Sequence, residues 1–184
     1  MFLFTSTQEK RFWLLALLVA TTILSTLFIG QPLRRLLSSQ DLQAVIFLGG
    51  MLTLALAVVL QGWQSKPHVL EIIIWLSLIA VCGMFFLRLG LPERSHLIEY
   101  SALTIFMLNA LQERSKQRQL LVSPYLTTFL LAFPLGLFDE ILQGFIPDRV
   151  FDPNDILFNA LAIGMTIGVI SLLRWAKGKF RTEA

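Results

Sequence analysis

The sequence has few of the residues from which most enzyme and metal motifs are built. Its 184 residues include one cysteine, Cys82, and two histidines. A single cysteine excludes an internal disulfide and a thiolate metal cluster, and because Cys82 lies within an apolar run we interpret it as a packing residue. The sequence also lacks a P-loop, a G-x-S-x-G elbow and an H-E-x-x-H pair, so it gives no support to those enzyme classes.

Charge is scarce as well. Only 15% of the residues are charged and 55% are hydrophobic, with a mean hydropathy of +0.71. Soluble domains carry about 25% charged residues, so this composition predicts an integral membrane protein with no room for a separate soluble domain. We do not interpret the formal charge of +3 as nucleic-acid binding, because cytoplasmic loops of membrane proteins retain Lys and Arg.

Apolar runs predict about six transmembrane helices, and therefore an all-α polytopic bundle. The first run, Phe12 to Gly30, resembles a signal peptide, but it is longer than a typical apolar h-region and no cleavage site follows, so we interpret it as a retained span. The remaining predicted spans are 44–60, 69–89, 91–111, 120–137 and 155–173.

Basic residues are unequally divided between the two sides of a six-span arrangement. The termini with the second and fourth loops hold ten of the 15 Lys and Arg residues, and the other side holds five. This bias predicts that both termini are cytoplasmic. The loop before His96 and the loop after Asp139 would then lie on the same outer side, where they can meet although about forty residues separate them.

The segment Phe138 to Gly168 concentrates polar residues between two apolar runs. Ionisable groups at the ends of membrane helices cost free energy unless they are paired, solvated or used, so this concentration suggests a functional site. Asp152 followed by Pro153 has the pattern of a helix N-cap. A cap explains these two residues but not the other polar residues of the segment. Those residues are Asp139, Glu140, Gln143, Asp148, Arg149, Asp155 and Asn159.

Helical spacing groups the candidate residues into pairs. His96 with Tyr100, Asp139 or Glu140 with Gln143, and Asp155 with Asn159 would each share one helical face. Three helix ends that each present a polar pair are typical of sites built inside helical bundles. Adjacent helical residues point in different directions, however, so a purely structural ion-pair network would need only one of the two neighbouring acids.

The segments HLIEY (96–100) and DEILQGFIPDRVFDPNDILFNALAIGMTIG (139–168) resemble the VanZ-like family of bacterial membrane proteins, over roughly Val69 to Leu173. The resemblance implies a multi-pass plasma-membrane protein, with residues 1–66 as two added helices and residues 67–184 as the VanZ-like domain. It also implies a link to teicoplanin resistance. Glu93, Arg94 and Asp148 depart from the residue pattern that is usual in the family. The polar positions that it implies are His96, Tyr100, Asp139, Glu140, Gln143, Arg149, Asp152, Asp155 and Asn159.

Two functions are compatible with these residues. In the first, His96, Asp139 and Glu140 are catalytic acid–base groups or ligands of a divalent cation, and Arg149 binds a phosphate of an envelope precursor or lipid. Tyr100, Gln143, Asp152, Asp155 and Asn159 would then contact that substrate. In the second, the chain is a non-enzymatic envelope protein whose polar network only braces the helix ends, and which binds a partner or the glycopeptide itself. Oligomeric state and metal dependence stay open.

Overall fold

The computed structural model describes residues 4–36, 91–147 and 151–181, and scattered helical positions between 69 and 83. Side chains are described for residues 4–27, 96–147 and 151–176, for Gly178 and Lys179, and for the scattered positions between 69 and 83. The second predicted span, 44–60, lies outside the described residues, and so does most of the third. Arg149 lies outside them too.

Four α-helices are described over continuous ranges, and no strand occurs in the described part of the chain. They are α1 (Thr7–Leu36), α2 (Leu91–Gln117), α3 (Pro124–Gln143) and α4 (Pro153–Arg181). The all-α prediction is confirmed. Segments of three helices are long and apolar enough to cross a membrane: Thr7–Leu27, Pro124–Gln143 and Pro153–Ala176.

Several helices extend past the apolar runs that predicted them. The first predicted span ends at Gly30, whereas α1 continues to Leu36. In the same way α2 continues to Gln117 through most of a predicted loop, and α4 continues to Arg181. Gln, Glu, Lys and Arg are good helix formers, so a helix need not end where its apolar run ends.

Serine and aspartate caps fix the start of α3 and of α4. The hydroxyl of Ser123 accepts a hydrogen bond from the backbone N–H of Leu126 at 3.3 Å, so α3 begins at Pro124 and not at Leu120 as predicted. Asp152 Oδ1 accepts from the backbone N–H of Asn154 at 2.8 Å, directly before α4. The predicted cap at Asp152 is thereby confirmed.

Helix α2 lies at the centre of the bundle and packs against the other three helices, whereas α1 and α3 touch only lightly. It is the least apolar of the four helices. Its polar groups can face the neighbouring helices instead of lipid, because α2 is surrounded by the other three. Large apolar side chains such as Leu17 and Leu130 face outward instead. The bundle therefore has polar groups inside and an apolar exterior, as expected for a protein in lipid.

The apolar core draws on all four helices. Its buried members are mostly small or aliphatic, so the helices approach closely around Tyr100, the largest of them. They are Ala16 and Ile23 of α1, Tyr100, Leu103 and Met107 of α2, Ala132 of α3, and Ala162 and Ile163 of α4.

An ion pair joins the N-terminus of α1 to the C-terminus of α2. Glu9 is fully buried, and its Oε1 accepts from Nε of Arg114 at 2.7 Å and from Nε1 of Trp13 at 3.3 Å. The other carboxylate oxygen, Oε2, accepts from both the backbone N–H and the hydroxyl of Thr5 at 2.6 Å. These contacts require α1 and α2 to run antiparallel.

The pair Gly164 and Gly168 in α4 has the small-xxx-small spacing that allows close helix contact, and the sequence suggests packing there. Packing against another described helix is not observed. A Cβ added at either glycine meets no atom of the described residues within 4 Å, and both glycines are exposed. The close contact in this bundle is made at Gly136 of α3.

Candidate functional site

Three helix ends meet at the end of the bundle opposite Glu9 and Arg114. They are the start of α2, the last turn of α3 and the first turns of α4. Their inward-facing polar side chains form what we call the helix-end cluster: His96 from α2, Asp139, Glu140 and Gln143 from α3, and Asp155 and Asn159 from α4. Segments that are distant in the sequence thus share one location.

His96 lies between acids of two different helices. Its Nε2 is 3.5 Å from Oδ2 of Asp155 and 3.9 Å from Oε1 of Glu140. Ligand atoms of His96, Asp139 and Glu140 all lie within 4.8 Å of one another. All three residues are buried, with relative exposures of 8%, 2% and 0%. Removing ionisable groups from water is costly, so such a cluster needs compensation by pairing, protonation or a bound cation.

Gln143 ties the two neighbouring acids of α3 together. Its Nε2 donates to Oε1 of Glu140 at 2.8 Å and lies 3.5 Å from Oδ2 of Asp139. Both acids face the cluster, although adjacent residues of a helix point in different directions. The reason is that α3 contacts both α2 and α4, so its inward face is wide enough to hold two side chains about 100° apart.

Gly136 of α3 brings the helices close together one turn before the acids. A Cβ at this position would lie 3.1 Å from Cβ and Nδ2 of Asn159 and 3.2 Å from Cε1 of Tyr100. Tyr100 in turn stacks on His96, with ring centroids 6.4 Å apart and an interplanar angle of 19°. The missing side chain at Gly136 therefore lets Tyr100 and Asn159 approach the base of the cluster.

Asn159 and His96 of the cluster have buried polar atoms without a hydrogen-bond partner among the described residues. Both atoms of the Asn159 side-chain amide are in this state, and so is Nδ1 of His96. Asn159 is completely buried. Because buried polar groups are nearly always satisfied, these atoms are expected to meet a group that is not part of the described chain.

The structure gathers most of the candidate residues and gives the side chain of one of them, Asp152, a different contact. His96, Tyr100, Asp139, Glu140, Gln143, Asp155 and Asn159 lie in or against the helix-end cluster. The Asp152 side chain caps α4 instead. Arg149 is outside the described residues, and the catalytic and binding roles of all nine stay predictions.

Sequence reasoning missed two residues that position the helices, one beside the cluster and one at the opposite end of the bundle. Gly136 was not among the candidate residues, although a lone glycine one turn before two inward acids is a signal of close helix approach. Glu9 was not considered at all. Its spacing of four residues from both Thr5 and Trp13 could have indicated a polar side chain held on one face of α1.

The described fold and cluster define a class: a helical membrane protein with a buried group of acids and one histidine where three helix ends meet. A family model described as VanZ/LLP1 matches residues 12–174. The chain belongs to this family. The match begins well before Val69 and includes most of α1, while the proposed domain boundary at residues 66 and 67 stays a prediction. Comparisons with curated proteins and with solved structures give no match.

Proposed function

We propose that the chain is a six-span plasma-membrane protein whose helix-end cluster faces the extracytoplasmic side and receives the head group of a lipid-linked envelope precursor. One observation carries the proposal: side chains from three helix ends converge in a buried cluster, with Nε2 of His96 between Asp155 and Glu140. The family match supports the membrane setting. The excess of basic residues at the termini supports the orientation.

The chemistry of the cluster suits a head group with phosphate and hydroxyl or ammonium groups. Carboxylates of Asp139, Glu140 and Asp155 accept hydrogen bonds from hydroxyl and ammonium donors, and the unsatisfied amide of Asn159 offers both a donor and an acceptor. Arg149, in the short connection between α3 and α4, is the proposed phosphate ligand, because a guanidinium binds phosphate bidentately. If a reaction occurs, His96 is the proposed proton carrier, oriented by Asp155.

Lipid binding tests this proposal directly. Native mass spectrometry of the purified chain in nanodiscs would measure the binding of two lipids, a long-chain polyprenyl phosphate and the matching polyprenol, which lacks the phosphate. We expect at least a tenfold preference for the phosphate, and loss of that preference in Arg149→Gln and Asp139→Asn. Glu113→Gln, at the opposite end of the bundle, is the matched control and keeps it.

The second candidate function is structural: the polar network only braces the helix ends. It is favoured by the contacts of His96 Nε2 with Glu140 and Asp155, which join α2 to α3 and α4. A brace predicts that Asp139→Asn and Glu140→Gln lower the amount of protein in the membrane, whereas a binding site predicts normal amounts. Teicoplanin susceptibility of cells that express each variant is the corresponding phenotype, and the binding proposal expects resistance to be lost at normal abundance.

A further inference from the structure

We infer that His96, Asp139 and Glu140, with Asp155 beside them, form a binding site for one divalent transition-metal ion. The inference deepens the proposed function, because a cation held among these acids would attract the phosphate that the acids alone would repel. It rests on the geometry of the described side chains and does not require a particular lipid.

The spacing of the ligand atoms fits a metal of this kind. Two ligands at about 2.1 Å from a tetrahedral zinc ion are about 3.4 Å apart, and Nε2 of His96 lies 3.5 Å from Asp155 and 3.9 Å from Glu140. These separations exceed those of ordinary N–H···O hydrogen bonds, which are about 2.7–3.2 Å. Ligand atoms of the three residues fall within 4.8 Å of one another, so small side-chain adjustments would let one ion contact all of them at about 2.1 Å.

Electrostatics supplies a second reason for a cation. Glu140 interacts with the charges of Asp139, Asp152 and Asp155, so up to four carboxylates gather where the helices meet. Asp139 and Glu140 are almost completely buried, and like charges in a buried site repel strongly. A divalent ion at the centre would offset two of these charges at once.

An independent observation comes from Asn159, which does not belong to the acidic group. Its amide is fully buried, with both polar atoms unsatisfied among the described residues, on the face of α4 that carries Asp155 one turn earlier. The base of the cluster therefore retains hydrogen-bonding capacity for an additional group. Water bound to a metal ion is a group that can both donate to Oδ1 and accept from Nδ2 of this amide.

The ligand set selects among metals. Calcium and magnesium prefer oxygen ligands, whereas imidazole favours zinc and other first-row transition ions. One imidazole with two or three carboxylates therefore suits Zn²⁺ or Mn²⁺ better than Mg²⁺ or Ca²⁺.

The test is metal binding by the full chain without any lipid-linked phosphate. Protein purified in detergent and treated with a chelator would be equilibrated with Zn²⁺, Mn²⁺ or Mg²⁺ separately, and bound metal would be measured by mass spectrometry after gel filtration, with affinity from calorimetry. We expect one Zn²⁺ or Mn²⁺ per chain at micromolar concentrations and at least tenfold weaker Mg²⁺. His96→Gln and Glu140→Gln should each weaken Zn²⁺ binding at least tenfold.

Matched controls are available within the chain. His68→Gln removes the other histidine of the sequence, and Glu9→Gln removes a buried carboxylate at the opposite end of the bundle. Both variants should bind Zn²⁺ like the wild type. Absence of stoichiometric metal in the wild type overturns the inference, as does unchanged binding in His96→Gln or Glu140→Gln, or loss of binding in His68→Gln.

A measurement on unaltered protein covers the case in which the site variants do not fold. Electron spin echo modulation of the Mn²⁺-loaded wild type should show coupling to one histidine nitrogen, and that coupling should persist in His68→Gln. A spectrum without nitrogen coupling contradicts the inference. Because lipid is absent from all these measurements, a negative result leaves the proposed head-group binding standing, to be judged by the polyprenyl-phosphate comparison.

Discussion

Gly136 is the residue on which the closest approach of α3 to its neighbours depends. At this position α3 passes Tyr100 of α2 and Asn159 of α4 at distances that leave no room for a Cβ without a shift of a few tenths of an ångström. Tyr100 and Asn159 are both fully buried, so neither can swing out of the way. The glycine therefore controls how near these two side chains come to the acids one turn later.

Gly136→Ala is predicted to destabilise the bundle by about 1–3 kcal/mol, because overpacking displaces well-packed neighbours. Thermal unfolding in detergent measures the effect, and Gly164→Ala is the control, since nothing among the described residues lies within 4 Å of its added Cβ. An equal effect, or no effect, at the two glycines would show that the approach at Gly136 is not close.

The helix-end cluster shows what a single sequence can and cannot predict at this scale. The pairs His96 with Tyr100, Asp139 or Glu140 with Gln143, and Asp155 with Asn159 follow from helical spacing, and the structure places all three pairs on inward faces. Spacing alone could not show that Asp139 and Glu140 face the cluster together, because that depends on the width of the inward face of α3. This width is set by two neighbouring helices.

At the scale of whole elements, the buried contact between α1 and α2 is the second polar feature of the bundle. The carboxylate of Glu9 receives hydrogen bonds from Thr5 and Trp13 within α1 and from Arg114 at the C-terminal end of α2. An acid near the start of a helix also interacts favourably with the helix dipole. Glu9 therefore both stabilises the first turn of α1 and fixes its position beside α2.

Glu9→Ala is predicted to lower stability by about 2 kcal/mol, the range for hydrogen bonds to charged groups, because it leaves Arg114 without this buried carboxylate. The matched control is Glu113→Ala, which removes the exposed ion pair between Glu113 and Lys116, one helical turn apart. This change should lower the free energy of unfolding by only a few tenths of a kcal/mol. Chemical unfolding monitored by tryptophan fluorescence compares them. Equal losses would mean that the Glu9 contact adds nothing to the docking of α1.

The apolar runs predict which segments are helical better than they predict where the helices end. Hydropathy marks the part of each helix that lies in lipid, whereas caps and helix-forming charged residues decide the boundaries. Ser123 and Asp152 start α3 and α4, and Gln117 and Arg181 mark how far α2 and α4 continue beyond their apolar runs. The VanZ/LLP1 family model matches residues 12–174 and so includes most of α1. The resemblance seen in the sequence began only at Val69 and did not include that helix.

For the whole molecule, the orientation in the membrane is the prediction with the widest consequences. Antiparallel packing of α1 and α2 places the Glu9–Arg114 pair at one end of the bundle and the helix-end cluster at the other. The bias of basic residues predicts that the first of these ends is cytoplasmic. The cluster would then meet substrates from outside the cell.

Cysteine labelling tests this orientation. In a Cys82→Ser background, Phe145→Cys places a thiol at an exposed position just after α3, and Ser115→Cys places one at an exposed position near the other end. A membrane-impermeant maleimide added to intact cells should label position 145 at once and position 115 only after permeabilisation. The opposite order of labelling would put the cluster on the cytoplasmic side.

The most direct measurement of the central claim, that distant parts of the chain form one shared site, is cross-linking between α2 and α4 in native membranes. His96→Cys with Asp155→Cys, in the Cys82→Ser background, would be treated with a short bifunctional thiol reagent, and cross-linked peptides would be identified by mass spectrometry. The control pair, His96→Cys with Ser115→Cys, is separated by about 28 Å along one helix. We predict efficient cross-linking within one chain for the first pair and none for the control. Failure of the first pair to cross-link, with both thiols shown to be reactive, would contradict the convergence of the three helix ends.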